Sequence, residues 1–230
     1  MCAQRIVEQA AMGLQGFDAN TTLTASSAAK LKAAGFSFAI RYLSRRDPAS
    51  SDLTADEADI ILASGLALMA VQHVERAGWE PSEALGSEYG ANAAANAAAA
   101  GLLKGVTIWL DLEGVNHTTS AETVIDYCNA WFAKVQQAGY VTGIYVGANS
   151  NLSGDQLYWR LKTRSYWKSG SNVPDIPERG IAWSSASCLE TASAASPSTE
   201  TSPSATRSAM GPSGSSRKRA GRRSPSPALR

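Results

Sequence analysis

The sequence predicts an α/β fold, a (β/α)8-type barrel represented here by about six to seven strands and followed by a tail of different composition. Three observations predict it. Short apolar runs alternate with helix-forming stretches at a period of roughly thirty residues, as repeated βα units require. Most helical stretches stop at a glycine just before the next apolar run, where a left-handed cap is needed. Neither a G-x-G-x-x-G pattern nor a phosphate-binding loop follows any run. That absence favours a barrel over an open doubly wound sheet.

The strand candidates are Leu14–Ala19, Phe36–Leu43, Leu66–Val74, Val106–Glu113 and Val141–Gly147, each rich in Val, Ile, Leu or aromatic residues. Continuous apolar runs of this length suit parallel strands buried on both faces. Between them lie the helix candidates. Ser26–Ala34 stops at Gly35, and Thr54–Ala63 stops at Gly65. Thr54 and Glu57 stand three residues apart, the spacing of a capping box. Ser87–Leu103 is almost pure alanine around Asn92 and Asn96, so it has strong helix propensity and can lie close on a neighbour. The two asparagines read as packing groups. Ser120–Ala138 opens on Ser120 and Thr123 and stops at Gly139; Gly154–Leu161 is shorter, and Tyr166–Lys168 opens a sixth strand. Gly180, Ile181 and Ala182 look like the start of a seventh.

The domain plan is then an N-terminal extension over 1–12, the barrel over 13–182 and a basic Ser/Pro/Arg tail over 183–230. After Trp183 there is no Ile, Val, Phe or Tyr. A stretch of this kind cannot bury enough apolar surface to offset its ordering entropy. A disordered basic tail is one reading. A shifted reading frame in a GC-rich gene is the other, and the abruptness of the change just where a seventh strand begins favours it.

Charge excludes some functions. Residues 184–230 carry seven basic and two acidic side chains, which leaves 14 basic against 18 acidic in residues 1–183, a net −4 for the body. An acidic body is a poor match for a nucleic-acid backbone, so no nucleic-acid partner is expected. No run approaches the 18 or so apolar residues of a membrane span. The N-terminal residues lack the basic and apolar regions of a signal peptide, so the chain as written reads as cytoplasmic. Cys2, Cys128 and Cys188 have no metal-type spacing and read as free thiols, with Cys128 on a buried helix face. With His73 and His117 as the only histidines, zinc chemistry is not expected, nor is any other metal or cofactor.

The strongest chemical signal is Ile108-Trp109-Leu110-Asp111-Leu112-Glu113-Gly114. Side chains alternate along a strand, so Asp111 and Glu113 point to one side, opposite Leu110 and Leu112. They stand at the C-terminal end of the fourth strand, the edge where barrel active sites form. Two acids one pleat apart repel each other and are partly desolvated. One should stay protonated as a general acid while the other is ionised, the division of labour that glycoside hydrolysis uses. Asp18 holds the equivalent place on the first strand. Arg41 and Tyr42 end the second, Gln72 and His73 the third, with Glu75 following, and Tyr145 ends the fifth. Trp79, Trp109, Trp159 and Trp167 are either platforms for sugar rings or core residues.

Several spaced motifs resemble a known family. GFDA at the first strand, AIRYLS at the second, the alanine-rich helix running into GVTIWLDLEG, GYVTGIYVGA and then YWKSG together resemble the bacterial glycoside-hydrolase-like domains of unknown function related to family 25 lysozymes. The resemblance spans about Gly13 to Ala182. It implies a TIM-like barrel and action on, or binding to, cell-wall polysaccharide such as peptidoglycan with its β-1,4 glycosidic bonds. Carried over by position, Glu113 would be the general acid. Asp111 would stabilise positive charge at the anomeric carbon or position the reacting group, and Asp18 would assist. Arg41, Tyr42, His73, Trp79, Tyr145 and Trp167 would bind substrate. The family's work points to an extracellular or cell-wall location, and its barrel continues with further strands where this chain turns into the tail. A non-catalytic carbohydrate-binding barrel, or an inactive truncated product, is the competing expectation.

Overall fold

The computed structural model describes residues 5–11 and 13–177. Six parallel strands form one curled sheet, a half-barrel, in the order β1-β2-β3-β4-β5-β6. They are β1 (Gly16–Ala19), β2 (Phe38–Leu43), β3 (Ala67–Gln72), β4 (Thr107–Leu112), β5 (Val141–Val146) and β6 (Tyr166–Lys168). Five helices alternate with them: α1 (Ala25–Ala33), α2 (Ala55–Ala63), α3 (Glu83–Ala99), α4 (Ala121–Gln137) and α5 (Gly154–Arg160). Every strand pairs with its sequence neighbour, as short right-handed crossovers dictate.

Local chemistry sets the helix ends. Each described helix starts on a Ser or Thr whose side-chain oxygen accepts a free N–H of the first turn: Thr24, Thr54, Ser82, Ser120 and Ser153. The glycines that stop α1, α2 and α4, namely Gly35, Gly65 and Gly139, all have positive φ. Helix α3 begins at Glu83, four residues before the sequence-predicted Ser87. Gly86 and Gly90 obscure that first turn in the sequence, and packing explains them. A Cβ on Gly86 would come 2.2 Å from the Tyr127 carbonyl oxygen of α4, and one on Gly90 2.6 Å from that of Trp131. The two backbones touch there, and only glycine fits.

The sheet separates two apolar regions. Its outer face, with Phe17, Leu43, Leu68, Ile108, Leu110, Ile144 and Val146, packs under the helices in the main core. Its inner face carries a smaller aromatic cluster of Phe38, Ile40, Val71, Trp109 and Trp167, bordered by Tyr42, Met69 and Tyr145. Large rings lie over glycines on adjacent strands: Trp109 over Gly143, and Phe38 over Gly16. Cys128 is buried on α4. No helix among the described residues is long and apolar enough to cross a membrane. The expected seventh strand, Cys2, Cys188 and the basic tail with its frame-shift reading lie outside the described residues.

Candidate active site at the strand ends

Alternation of side chains decides what reaches the inner rim. Asp18, Ile40 and Met69 occupy paired positions across β1, β2 and β3, and Asp111, Tyr145 and Trp167 do so across β4, β5 and β6. The rim therefore gathers Asp18, Tyr42, Asp111, Glu113 and Tyr145 beside the Trp109 and Trp167 rings. The Tyr42 hydroxyl donates to Asp18 Oδ2 at 3.3 Å. Trp167 meets Tyr145 edge-on at 4.7 Å between centroids and Trp109 at 5.9 Å.

Asp111 is 6% exposed and its Oδ1 has no hydrogen-bond partner among the described residues. Burial, then the charges of Glu113 and Asp18, push its carboxyl well above the ordinary carboxylate range. Burial also raises Glu113. The expectation of one protonated and one ionised acid on β4 is thus modified: desolvation lifts both, and the deeper Asp111 further. Burial first, then Asp18 and Asp111, hold Tyr42 above the usual phenol value. Tyr145 is raised by burial, then by Glu113 and Asp111. Both tyrosines are neutral donors at physiological pH.

Glu113 lies just past β4, and its position is built by the backbone on either side. The Gly78 N–H donates to the Gly114 carbonyl at 2.7 Å, and the Gly114 N–H to that of Ala148 at 2.8 Å. The Trp79 indole donates to the Glu113 carbonyl at 2.8 Å. Gly114 adopts φ 64°, and Gly147 leaves the space that the Glu113 side chain fills.

Arg41 does not reach this rim. Its strand position points it to the outer face, where it is fully buried and its Nε meets Glu57 Oε1 at 2.7 Å. The same guanidinium donates to the carbonyls of Ala19 and Ser51. Glu57 is accordingly no capping-box partner: Thr54 accepts its N–H, but its carboxylate turns inward to Arg41 and to the Leu23 N–H. With Arg41 so committed, no cation among the described residues shifts Asp111 or Glu113.

Gln72 also belongs to the outer layer, donating to the Ser44 and Tyr89 carbonyls and accepting from the Trp131 indole at 2.7 Å. Trp79 is 9% exposed and packs edge-on against Tyr127, so it supports Glu113 from beneath and offers no open sugar platform. Trp167 is buried as part of the floor. Trp159 is half exposed on α5, packed edge-on against Tyr158. Glu75 accepts from the Tyr89 hydroxyl at 2.5 Å and pairs with Arg45.

His73 does reach the rim, stacked on Tyr42 at 4.5 Å with its Nε2 2.8 Å from Asp52 Oδ1. Asp52, Ser44 and Gly147 escaped the sequence reading, because loop residues at irregular spacing leave no periodic trace. Among the described residues, no group of three or more His, Cys, Asp or Glu side chains could hold a metal ion.

The family described as Rv2525c-like, glycoside hydrolase-like domain matches residues 29–210, well over half of the chain. The match begins inside α1, so Asp18 lies ahead of it. No curated protein matches the chain. Among solved structures, an uncharacterized B. stearothermophilus protein is similar, with TM-score 0.53 and 16% identity, over 79% of this chain and 86% of that one. The Tat-secreted protein Rv2525c of Mycobacterium tuberculosis, in complex with HEPES, has TM-score 0.51 and 20% identity, over 74% and 82% of the two chains. A muramidase from Trichobolus zukalii has TM-score 0.49 and 16% identity, over 69% and 79%. The first two likenesses show a shared fold.

Proposed function

The chain belongs to the Rv2525c-like, glycoside hydrolase-like family, and from that premise we propose that its rim binds and hydrolyses a cell-wall glycan, peptidoglycan or a related β-1,4-linked polysaccharide. One observation carries the reading. Carboxyl groups converge at the C-terminal ends of β1 and β4, two of them held above their ordinary range, with no cation among the described residues to offset the shift. Nothing in folding favours such an arrangement, whereas acid catalysis uses it.

Glu113 is the general acid. It is only partly buried, so a glycosidic oxygen can reach it, and burial raises its carboxyl in the direction a proton donor needs. Asp18, fixed by the Tyr42 hydroxyl, faces the positive charge that develops at the anomeric carbon. Asp111, deeper and with its charged form disfavoured by burial, orients Glu113 or a sugar hydroxyl. Tyr42, Tyr145 and His73 line the groove, and Trp167 floors it. Tat secretion of the Mycobacterium tuberculosis neighbour supports a site of action outside the cytoplasm.

The test is Glu113→Gln assayed for release of reducing ends from peptidoglycan and, separately, for glycan pull-down. Release should fall by about 100-fold or more while binding persists. Unchanged release would remove Glu113 from the role. The deep burial of Asp111, which disfavours its charged form, favours a second reading as a glycan-binding barrel. In that case the wild type binds glycan yet never yields reducing ends.

A further inference from the structure

The loop joining β2 to α2 carries an acid that the rim chemistry leaves unused. Asp52 is 4% exposed and bonded on both oxygens: Ser44 Oγ donates to Oδ2, and Oδ1 faces His73 Nε2 at 2.8 Å. His73 in turn lies flat on Tyr42, with ring centroids 4.5 Å apart and planes 25° apart. The Tyr42 hydroxyl then donates to Asp18. A continuous line of contacts therefore runs from a buried carboxylate in a loop to the carboxylate on β1.

The loop itself is fixed by side chains from three elements. Gln72 of β3 donates to the Ser44 carbonyl; Asn96 of α3 donates to those of Ser44 and Arg46, and Asn92 to that of Arg45. Arg41 of β2 holds the Ser51 carbonyl at 2.8 Å. Inside the loop, the Ala49 N–H donates to Ser44 Oγ and the Asp52 N–H to the Ala49 carbonyl, both at 3.0 Å. Asp52 thus has one place to be.

We propose that Asp52 is a positioning residue of the rim: it holds His73 in the tautomer protonated on Nε2, sets the plane of the imidazole, and through the stacked Tyr42 fixes the orientation of Asp18. A carboxylate accepts but cannot donate, so it selects the Nε2–H form and leaves Nδ1 as an acceptor. Among the described residues, Nδ1 has no protein partner. With the side chain 35% exposed, that nitrogen is available to a ligand hydroxyl beside the acids. This role rests on the reading of the rim as a glycan site, and the experiment separates the two.

The full chain, labelled with 15N, is studied at about pH 8, above the ordinary histidine value of about 6.5. The wild-type imidazole should show Nε2 protonated and Nδ1 bare; Asp52→Asn, whose amide can donate as well as accept, should mix the two tautomers. Ser44→Ala keeps Asp52 and removes its donor, and should give a smaller change of the same sign. Calorimetry with triacetylchitotriose should show affinity falling about tenfold in Asp52→Asn, the order expected for one misplaced hydrogen-bonding group. In a His73→Leu background the same substitution should change nothing further, because its effect passes through the imidazole. An unchanged tautomer in Asp52→Asn, or a full loss of affinity that persists without His73, overturns the proposal. A wild type that ignores the trisaccharide defeats the glycan reading, and the tautomer comparison then decides the positioning role by itself.

Discussion

Glu113 occupies space that only Gly147 leaves open: a β-carbon on that glycine would stand 2.1 Å from Glu113 Oε2 and 2.6 Å from its Cβ. The second contact cannot be relieved by turning the carboxyl end, so the strand end itself would move. With Glu113 in its proposed role, Gly147→Ala should cut glycan hydrolysis about 100-fold, a cost that displacing a catalytic group by about 1 Å can carry. Reducing-end release, set beside a melting curve that shows the fold intact, checks this.

Asp111 gives stability a particular slope with pH. Its carboxyl is raised in the folded state, so the native protein keeps a proton that the unfolded chain releases near pH 4. Stability from this group is complete below that pH and is lost as pH rises toward the folded value. Asp111→Asn, which cannot ionise, should raise the melting temperature at pH 7 and give a gain that shrinks toward pH 4. Scanning calorimetry at the two pH values reads the difference; a gain that grew on acidification would contradict the burial argument.

On the opposite face, Arg41 and Glu57 are a fully buried ion pair, with side-chain exposures of 0% and 1%. Removing one partner leaves the other charged in an apolar layer. Arg41→Met should cost about 3–5 kcal/mol, and the double substitution Arg41→Met with Glu57→Met distinctly less. Urea denaturation of the wild type and the two variants tests it.

Two glycines of α3 set helix propensity against packing. Alanine in place of Gly90 would favour the helix by about 1 kcal/mol, whereas a methyl 2.6 Å from a carbonyl oxygen of α4 opposes it by about 1–3 kcal/mol. Packing should win, and more so at Gly86, where the approach is 2.2 Å. Denaturation midpoints should fall in the order wild type, Gly90→Ala, Gly86→Ala.

Much of the fold is legible in the sequence because each βα unit repeats one pattern: an apolar run, a Ser or Thr cap, a helix and a stop. The carboxylates of the rim are legible for the same reason, since Asp111 and Glu113 share a face by strand alternation alone. The same rule separates Arg41 from Tyr42. Adjacent residues on a strand face opposite ways, and pairing with β1 puts Tyr42 on the side of Asp18 and Arg41 on the other. Glu57 shows the limit of a local motif. Its spacing from Thr54 fits a capping box, yet a buried guanidinium 16 residues earlier claims its carboxylate. Asp52 and Gly147 lie in loops, where function depends on contacts between distant segments and no period marks them.

The loop between β2 and α2 is surface structure held as firmly as core. Four of its carbonyls, those of Ser44, Arg45, Arg46 and Ser51, are gripped by side chains rooted in β2, β3 and α3. Its conformational freedom is surrendered when the chain folds, so on the proposed reading a glycan has little ordering to impose on it. On the proposed reading a glycan meets a wall already set, and its association should show a single kinetic phase. The same anchoring also leaves this connection poorly able to accept an inserted residue, since one added position would uncouple several anchors at once.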